Sequence, residues 1–245
     1  MTKEQLEKHK IAGEKLDFVK NRAFEFIKKN VGRITEYDVN KFILSEYKRQ
    51  KLITEGHYSV QIVAVNGNAA IPHYFPKRGK SAIIGENCLV LMDIWARLKK
   101  KNSPFADITW MGYTGKKVPS QINATLKKVF DARDFCVTFI KKELKQKKMP
   151  KTIEVDTAVR KYFGKEEKYF IHGTGHSLGI RQCHGKAFRF SKKSNSRMKT
   201  EIPFTIEPGL YFKYKFGIRS EINCWIGKDF KLEITTKVQK ELIKI

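Results

Sequence analysis

The chain opens on an amphipathic pattern. Between residues 10 and 29, Ile11, Leu16, Val19, Phe24 and Ile27 recur among charged residues at helical spacing. Gly32 lies just beyond, where a helix terminus is expected. Thr35-Glu36-Tyr37-Asp38 reads as the capping-box start of a second helix, with Phe42, Ile43 and Tyr47 as its buried stripe. The texture then changes. Residues 59–65, from Ser59 to Val65, are β-rich and lead into the turn signal Asn66-Gly67-Asn68. Residues 88–93 form a short apolar run ending in Asp93, and 106–113 suit another strand. Ile122, Leu126, Val129, Phe130, Phe135 and Phe139 line one face of a long helix over 120–148, closed by Pro150. A shorter helix follows near 155–163. Residues 204–212, 217–226 and 230–236 each suit a strand. No repeat and no long linker divides the pattern, so residues 1–245 read as one α+β domain.

Composition narrows the class. With 41% hydrophobic and 12% aromatic residues in 245, the chain can bury a core, which excludes wholesale disorder. Fifty Lys and Arg against 25 Asp and Glu give a formal charge of +25. Such a balance suits a polyanionic partner such as nucleic acid. The excess is mainly Lys, however, and it is spread along the chain, so a solvated surface is the favoured reading and nucleic acid a secondary one. Cys88, Cys136, Cys183 and Cys224 are far apart and form no Cys-x-x-Cys pair. Free thiols in a reducing cytoplasm account for them. The N-terminus lacks a signal-peptide pattern and no apolar run is long enough to span a bilayer, so a cytoplasmic protein without a membrane partner is expected.

The candidate chemistry sits in polar residues set against apolar runs. Asp93 follows Leu89-Val90-Leu91-Met92, and Asp107 precedes Ile108-Thr109-Trp110. His176, Glu207 and Glu221 lie in similar contexts near the C-terminus. Buried carboxylates are costly unless paired or bound to metal. Four acids and one imidazole suit neutralisation by two divalent cations, and a hard, oxygen-rich set of this kind favours Mn²⁺.

Four strings carry a resemblance. Asn68-Ala69-Ala70-Ile71-Pro72-His73-Tyr74, His172-Gly173-Thr174-Gly175-His176-Ser177-Leu178-Gly179, Thr205-Ile206-Glu207-Pro208-Gly209-Leu210-Tyr211 and Gly217-Ile218-Arg219-Ser220-Glu221 occur in that order. Together they resemble the Xaa-Pro aminopeptidase and prolidase branch of the pita-bread metallopeptidases, family M24. The resemblance runs from about residue 10 to 236. It implies a pita-bread fold, a curved antiparallel sheet backed by helices. It implies two divalent ions, Mn²⁺ first, with Co²⁺, Zn²⁺ or Fe²⁺ as alternatives. Their ligands would be Asp93, Asp107, His176, Glu207 and Glu221, with Asp107 and Glu221 bridging. Glu207 would also carry the proton of the attacking water. His73, His172 and His184 would act on the substrate side, and Arg219 would hold the Glu221 carboxylate. The implied activity is aminopeptidase action on peptides, chiefly Xaa-Pro. Prolidase or methionine aminopeptidase action, or a basic non-catalytic module binding nucleic acid or protein, are the alternatives.

The sequence also departs from the family. Asp93-Ile94-Trp95-Ala96 replaces the usual Asp-x-Gly-Ala. The two aspartates are farther apart than usual, with the extra residues in an expected exposed turn over 98–104. His184 follows His176 one residue later than the family spacing, which a one-residue bulge would restore. The length suits a catalytic domain without the N-terminal accessory domain of typical relatives. The oligomer, monomer or homodimer, is left open.

Overall fold

The computed structural model describes residues 1–55 and 60–245; Ser59, the first residue of the strand expected over 59–65, lies outside them. Helix α1 spans Lys3–Lys29 and α2 Glu36–Gln50. Strands β1 (Leu52–Ile53), β2 (Ile62–Val65), β3 (Leu89–Leu98) and β4 (Ala106–Tyr113) follow. Then come α3 (Ser120–Lys145) and α4 (Thr152–Phe163). Strands β5 (Gly175–Leu178), β6 (His184–Phe190), β7 (Phe204–Ile206), β8 (Gly209–Phe212), β9 (Phe216–Arg219), β10 (Ile222–Ile226) and β11 (Leu232–Ile234) lead to β12 (Ile243–Lys244). One mixed sheet is ordered β1-β3-β4-β12, with β2 also on β3; a second is β11-β10-β7-β5-β6; β8 and β9 form a separate hairpin. This is the α+β class that the sequence predicts.

Several boundaries move for local reasons. Helix α1 starts at Lys3 rather than near residue 10, because Thr2 and Gln5 form a reciprocal capping box. Helix α3 stops at Lys145, ahead of Pro150, with Lys147 in the left-handed region and the Lys148 N–H bonded back to the Glu143 carbonyl. On that helix Phe135 is only half-buried; its ring stacks on Tyr162 of α4 at 5.0 Å, while Cys136, Val137 and Ile140 carry the core. Residues 204–212 break into two strands at Pro208, which has no N–H for a ladder. Residues 217–226 break at Ser220-Glu221, whose N–H groups turn to the Pro208 and Thr109 carbonyls. The sequence reading missed strands β5 and β6; β5 is four residues buried throughout and shows no alternation, whereas the alternating burial of β6 was available as a signal.

The alternation in β3 and β4 explains where the acids point. Val90, Met92, Ile94 and Ile108 pack with α1 and α2 in one hydrophobic cluster. Leu89, Leu91 and Met111 face the opposite way, into the cluster of α3, α4 and the second sheet. Side chains alternate with period two, so Asp93 and Asp107 share the second face. Asp93 does not end its strand: Ile94, Ala96 and Leu98 extend the apolar stripe, and β3 continues to Leu98. The register pairs Asp93 with Thr109 and Trp95 with Asp107, which sets the two acids diagonally across the ladder. In the connection to β4, Lys99 to Asn102 are exposed as expected, but Ser103 and Pro104 are buried.

His9 on α1 ties distant parts of the fold together. It is fully buried, with Nδ1 at 2.8 Å from the Phe105 carbonyl and Nε2 at 2.8 Å from the Thr235 hydroxyl. Burial depresses its pKa from 6.5 to about 4. The unfolded chain therefore binds more protons between these values, and stability from His9 is lost as pH falls through them. The expected loss between pH 7 and pH 5 is about 2 kcal/mol. Urea unfolding of the wild type and His9→Gln at both pH values checks it. Every other group is common to the two proteins, so equal pH slopes would refute the assignment.

Candidate metal centre

The second-face acids of β3 and β4 meet residues from four later segments. Asp107, His176 and Glu221 are buried and offer ligand atoms within 4.8 Å of one another. Nε2 of His176 lies 3.8 Å from Asp107 Oδ2 and 3.4 Å from Glu207 Oε1. Asp93 adjoins the group through Arg219, whose guanidinium donates to its Oδ2 rather than to Glu221, the carboxylate the resemblance gives it; Thr109 stands between Arg219 and Glu221. Asp93, Asp107, His176, Glu207, Glu221 and Arg219 thus occupy one cluster.

Each is held by identifiable neighbours. Asn223 on β10 receives the Asp107 N–H at 3.0 Å and donates to the Asp107 carbonyl at 2.6 Å, locking β4 to β10. Thr109 donates to Glu221 Oε2 at 2.7 Å and accepts from Arg219 Nε at 3.0 Å. Arg219 also donates to Tyr211 Oη at 2.9 Å and to the Pro72 carbonyl at 3.3 Å. Thr205 receives the His176 N–H at 3.0 Å and donates to Glu207 Oε1 at 3.1 Å. The glycines around His176 are required by packing: a Cβ on Gly175 would sit 2.2 Å from the Thr205 carbonyl oxygen, and one on Gly173 2.2 Å from that of Phe190.

The His172–Gly175 turn is anchored from α4. Asp156 accepts the Thr174 N–H at 3.0 Å and its hydroxyl at 2.8 Å. Arg160, paired with Asp156 at 2.7 Å, donates to the His172 carbonyl at 2.6 Å. The segment before His73 is held similarly by buried Glu36, which accepts the Val65 N–H, the Asn68 amide and the Tyr74 hydroxyl.

The three substrate-side histidines differ in placement. His172 Nε2 lies 2.7 Å from Tyr211 Oη, and burial, with Arg219 nearby, lowers its pKa to about 3. His184 opens β6 with its ring centroid 4.0 Å from that of His176. The β5–β6 register shifts between His176 and Leu178 by three residues, more than the one-residue bulge expected, and the two rings lie side by side. His73 is exposed on its turn, and among the described residues no hydrogen bond joins it to the carboxylates.

Electrostatics show what the cluster lacks. Burial, then Asp93 and Glu207, pushes the Asp107 carboxyl well above its ordinary range; burial, then Asp107, does the same to Glu221. Burial pushes Glu207 up to about 7, against the pull of Arg219. Burial lowers His176 to about 3, so its ring is neutral at pH 7. Its Nδ1 faces the Ser177 carbonyl at 3.1 Å, which assigns the proton there and leaves a lone pair on Nε2. That lone pair points at carboxylate oxygens. Asp93 Oδ1, Asp107 Oδ1 and Glu221 Oε1 are buried without a hydrogen-bond partner among the described residues. Acceptors facing acceptors across a few ångströms fit divalent cations, and the donor set is hard oxygen with one imidazole.

Some of these residues escaped the sequence reading. Thr109 follows Asp107 on the same strand face, and Asp156 and Arg160 stand at helical i,i+4 spacing; both signals were available. Tyr211 stood inside a quoted string without a role. Cys183 gave no signal, yet its Sγ lies 3.1 Å from Asp107 Oδ2. All four cysteines are free and buried.

Comparison with known proteins bears on the family and the fold. The sequence profile of metallopeptidase family M24 matches residues 7–228. An uncharacterized peptidase of Methanocaldococcus jannaschii is 28% identical over 209 residues, covering 83% of this chain and 55% of that protein. A prolidase from Thermococcus sibiricus superposes over 100% of this chain and 62% of its own, with TM-score 0.82 and 28% identity. An X-Pro aminopeptidase from Thermotoga maritima shares the fold, with TM-score 0.83, 20% identity and coverage of 100% of this chain and 64% of its own. The chain therefore spans between about half and two-thirds of the length of these proteins. The fold implied by the resemblance is the fold found. No helix among the described residues is long and apolar enough to cross a membrane.

Proposed function

The chain belongs to metallopeptidase family M24, and on that premise we propose that it is a metal-dependent exopeptidase removing the N-terminal residue of peptides with proline second. The carrying observation is the neutral His176 whose Nε2 lone pair faces Asp107 and Glu207 beside three unpartnered carboxylate oxygens. Two divalent cations held by Asp93, Asp107, His176, Glu207 and Glu221 supply Lewis acidity and an acidified water when bound. Glu207 would take the proton of the attacking water on a carboxylate oxygen and pass it to the leaving amine. Arg219 holds the Asp93 carboxylate in place. His172, braced by Tyr211, and His184, beside His176, face the scissile bond; His73 closes over the substrate from its exposed turn. The two hydrophobic clusters lie on opposite faces of the β3–β4 sheet, which supports residues 1–245 working as one catalytic domain.

The oxygen-rich donor set favours Mn²⁺ among first candidates. A panel of Xaa-Pro and Met-Xaa peptides of several lengths, with and without Mn²⁺, tests the reading. Metal-dependent release of the first residue from Xaa-Pro peptides is expected. Preference for Met-Xaa would reassign the substrate. Metal uptake without turnover, together with salt-sensitive nucleic-acid binding, would replace catalysis by the basic-module reading.

A further inference from the structure

We propose that Cys183 is a further protein donor at this centre, a sulfur ligand to the cation held by Asp107 and His176. The proposal rests on the metal reading of the cluster and adds to it a donor of different chemistry. Cys183 is 2% exposed and packs with Phe105 and Leu178 against Trp95. Its main chain is fixed: the Cys183 N–H donates to Glu55 Oε1 at 2.7 Å, and its carbonyl accepts from Gly179 at 3.2 Å. The thiol is thus built against Asp107 rather than left to swing there.

The spacing is that of two ligands on one ion. Sγ and Asp107 Oδ2 are 3.1 Å apart. Donors at metal distances of about 2.3 Å for sulfur and about 2.1 Å for oxygen, so separated, subtend roughly 90° at the metal. A second observation points the same way: Asp107 and Glu221, 5% and 3% exposed, each keep one carboxylate oxygen without a partner in the same space. On binding, the thiol proton leaves to solvent, as for any cysteine ligand, and the S–H···O contact gives way to two bonds to the ion. The consequence is selectivity. A thiolate moves an otherwise oxygen-dominated centre from Mn²⁺ towards Zn²⁺ and Co²⁺.

Cobalt titration of the full chain tests it. Co²⁺ is expected to give visible d–d bands together with a thiolate-to-cobalt charge-transfer band in the near ultraviolet. Cys183→Ser keeps the d–d bands and loses the charge-transfer band, and its Zn²⁺ affinity relative to Mn²⁺ falls by about tenfold or more. X-ray absorption on the unmutated Zn²⁺ protein needs no variant and shows a sulfur neighbour at about 2.3 Å. Co²⁺ bound without the thiolate band, a band surviving in Cys183→Ser, or Zn²⁺ without a sulfur neighbour overturns the proposal and leaves the metallopeptidase reading intact. Failure of the wild type to take up Co²⁺ or Zn²⁺ overturns the proposal, and failure to take up Mn²⁺ as well overturns both.

Discussion

Glu207→Gln is expected to lower kcat by about 10²–10⁴-fold, the contribution of a positioned general base, while KM changes little. The amide keeps one oxygen donor but has no site to take a proton from water. The geometry makes this substitution unusually clean. Glu207 sits between His176 Nε2 at 3.4 Å and the Thr205 hydroxyl at 3.1 Å, and a glutamine oxygen accepts the latter bond equally well. The fold is not expected to suffer. In the metal-free protein Glu207 is one of several crowded carboxylates, so removing its charge relieves repulsion with Asp93 and Asp107. The thermal midpoint of metal-free Glu207→Gln at pH 8 should therefore equal or exceed that of the wild type. Steady-state kinetics on an Xaa-Pro peptide and a melting curve decide the matter. Undiminished turnover would remove Glu207 from the chemistry.

How much of this was legible in the chain depended on the range of the information needed. Carboxylates interrupting apolar strands were visible, because a lone acid beside Leu, Ile or Phe violates the alternation around it. Their common face on β3 and β4 also follows from period two. The ends of elements were set by interactions that periodicity does not carry: the Thr2–Gln5 box, the left-handed Lys147, and the N–H groups of Ser220 and Glu221 turning to other strands. Beyond the ligand set that the resemblance implied, long-range hydrogen-bond partners were not legible. Arg219 and Asp93 are 126 residues apart, and Cys183 and Asp107 76 apart. Only the fold brings those pairs together. The resemblance supplied an order of motifs, but nothing in it marked the cysteine beside the aspartate. The +25 charge also takes a different meaning. Among the acids brought into the cluster, Arg219 is the paired basic side chain, so the Lys excess does nothing to neutralise the centre.

That imbalance sets the largest thermodynamic prediction. Dialysis against a chelator is expected to abolish turnover and to lower the melting temperature by about 10 °C, both restored by adding a divalent ion. A ligand at a thousandfold over its dissociation constant stabilises the native state by about 4 kcal/mol. For a domain of this size each kcal/mol corresponds to about 2–4 °C. The effect should also depend on pH. Folded, metal-free Glu207 titrates at about 7 against an ordinary 4.5, with Asp107 and Glu221 raised as well. The folded state then binds more protons than the unfolded one across that interval, and metal-free stability falls as pH rises through it. Cations need those carboxylates ionised, so protons compete with them at pH 6 and much less at pH 8. His176, at about 3, offers no such competition in this range. The melting-temperature gap between metal-loaded and chelated protein should accordingly be wider at pH 8 than at pH 6. Calorimetry with metal content verified by elemental analysis measures it. A gap of zero at both pH values, with activity surviving metal removal, would overturn the metal reading of the cluster.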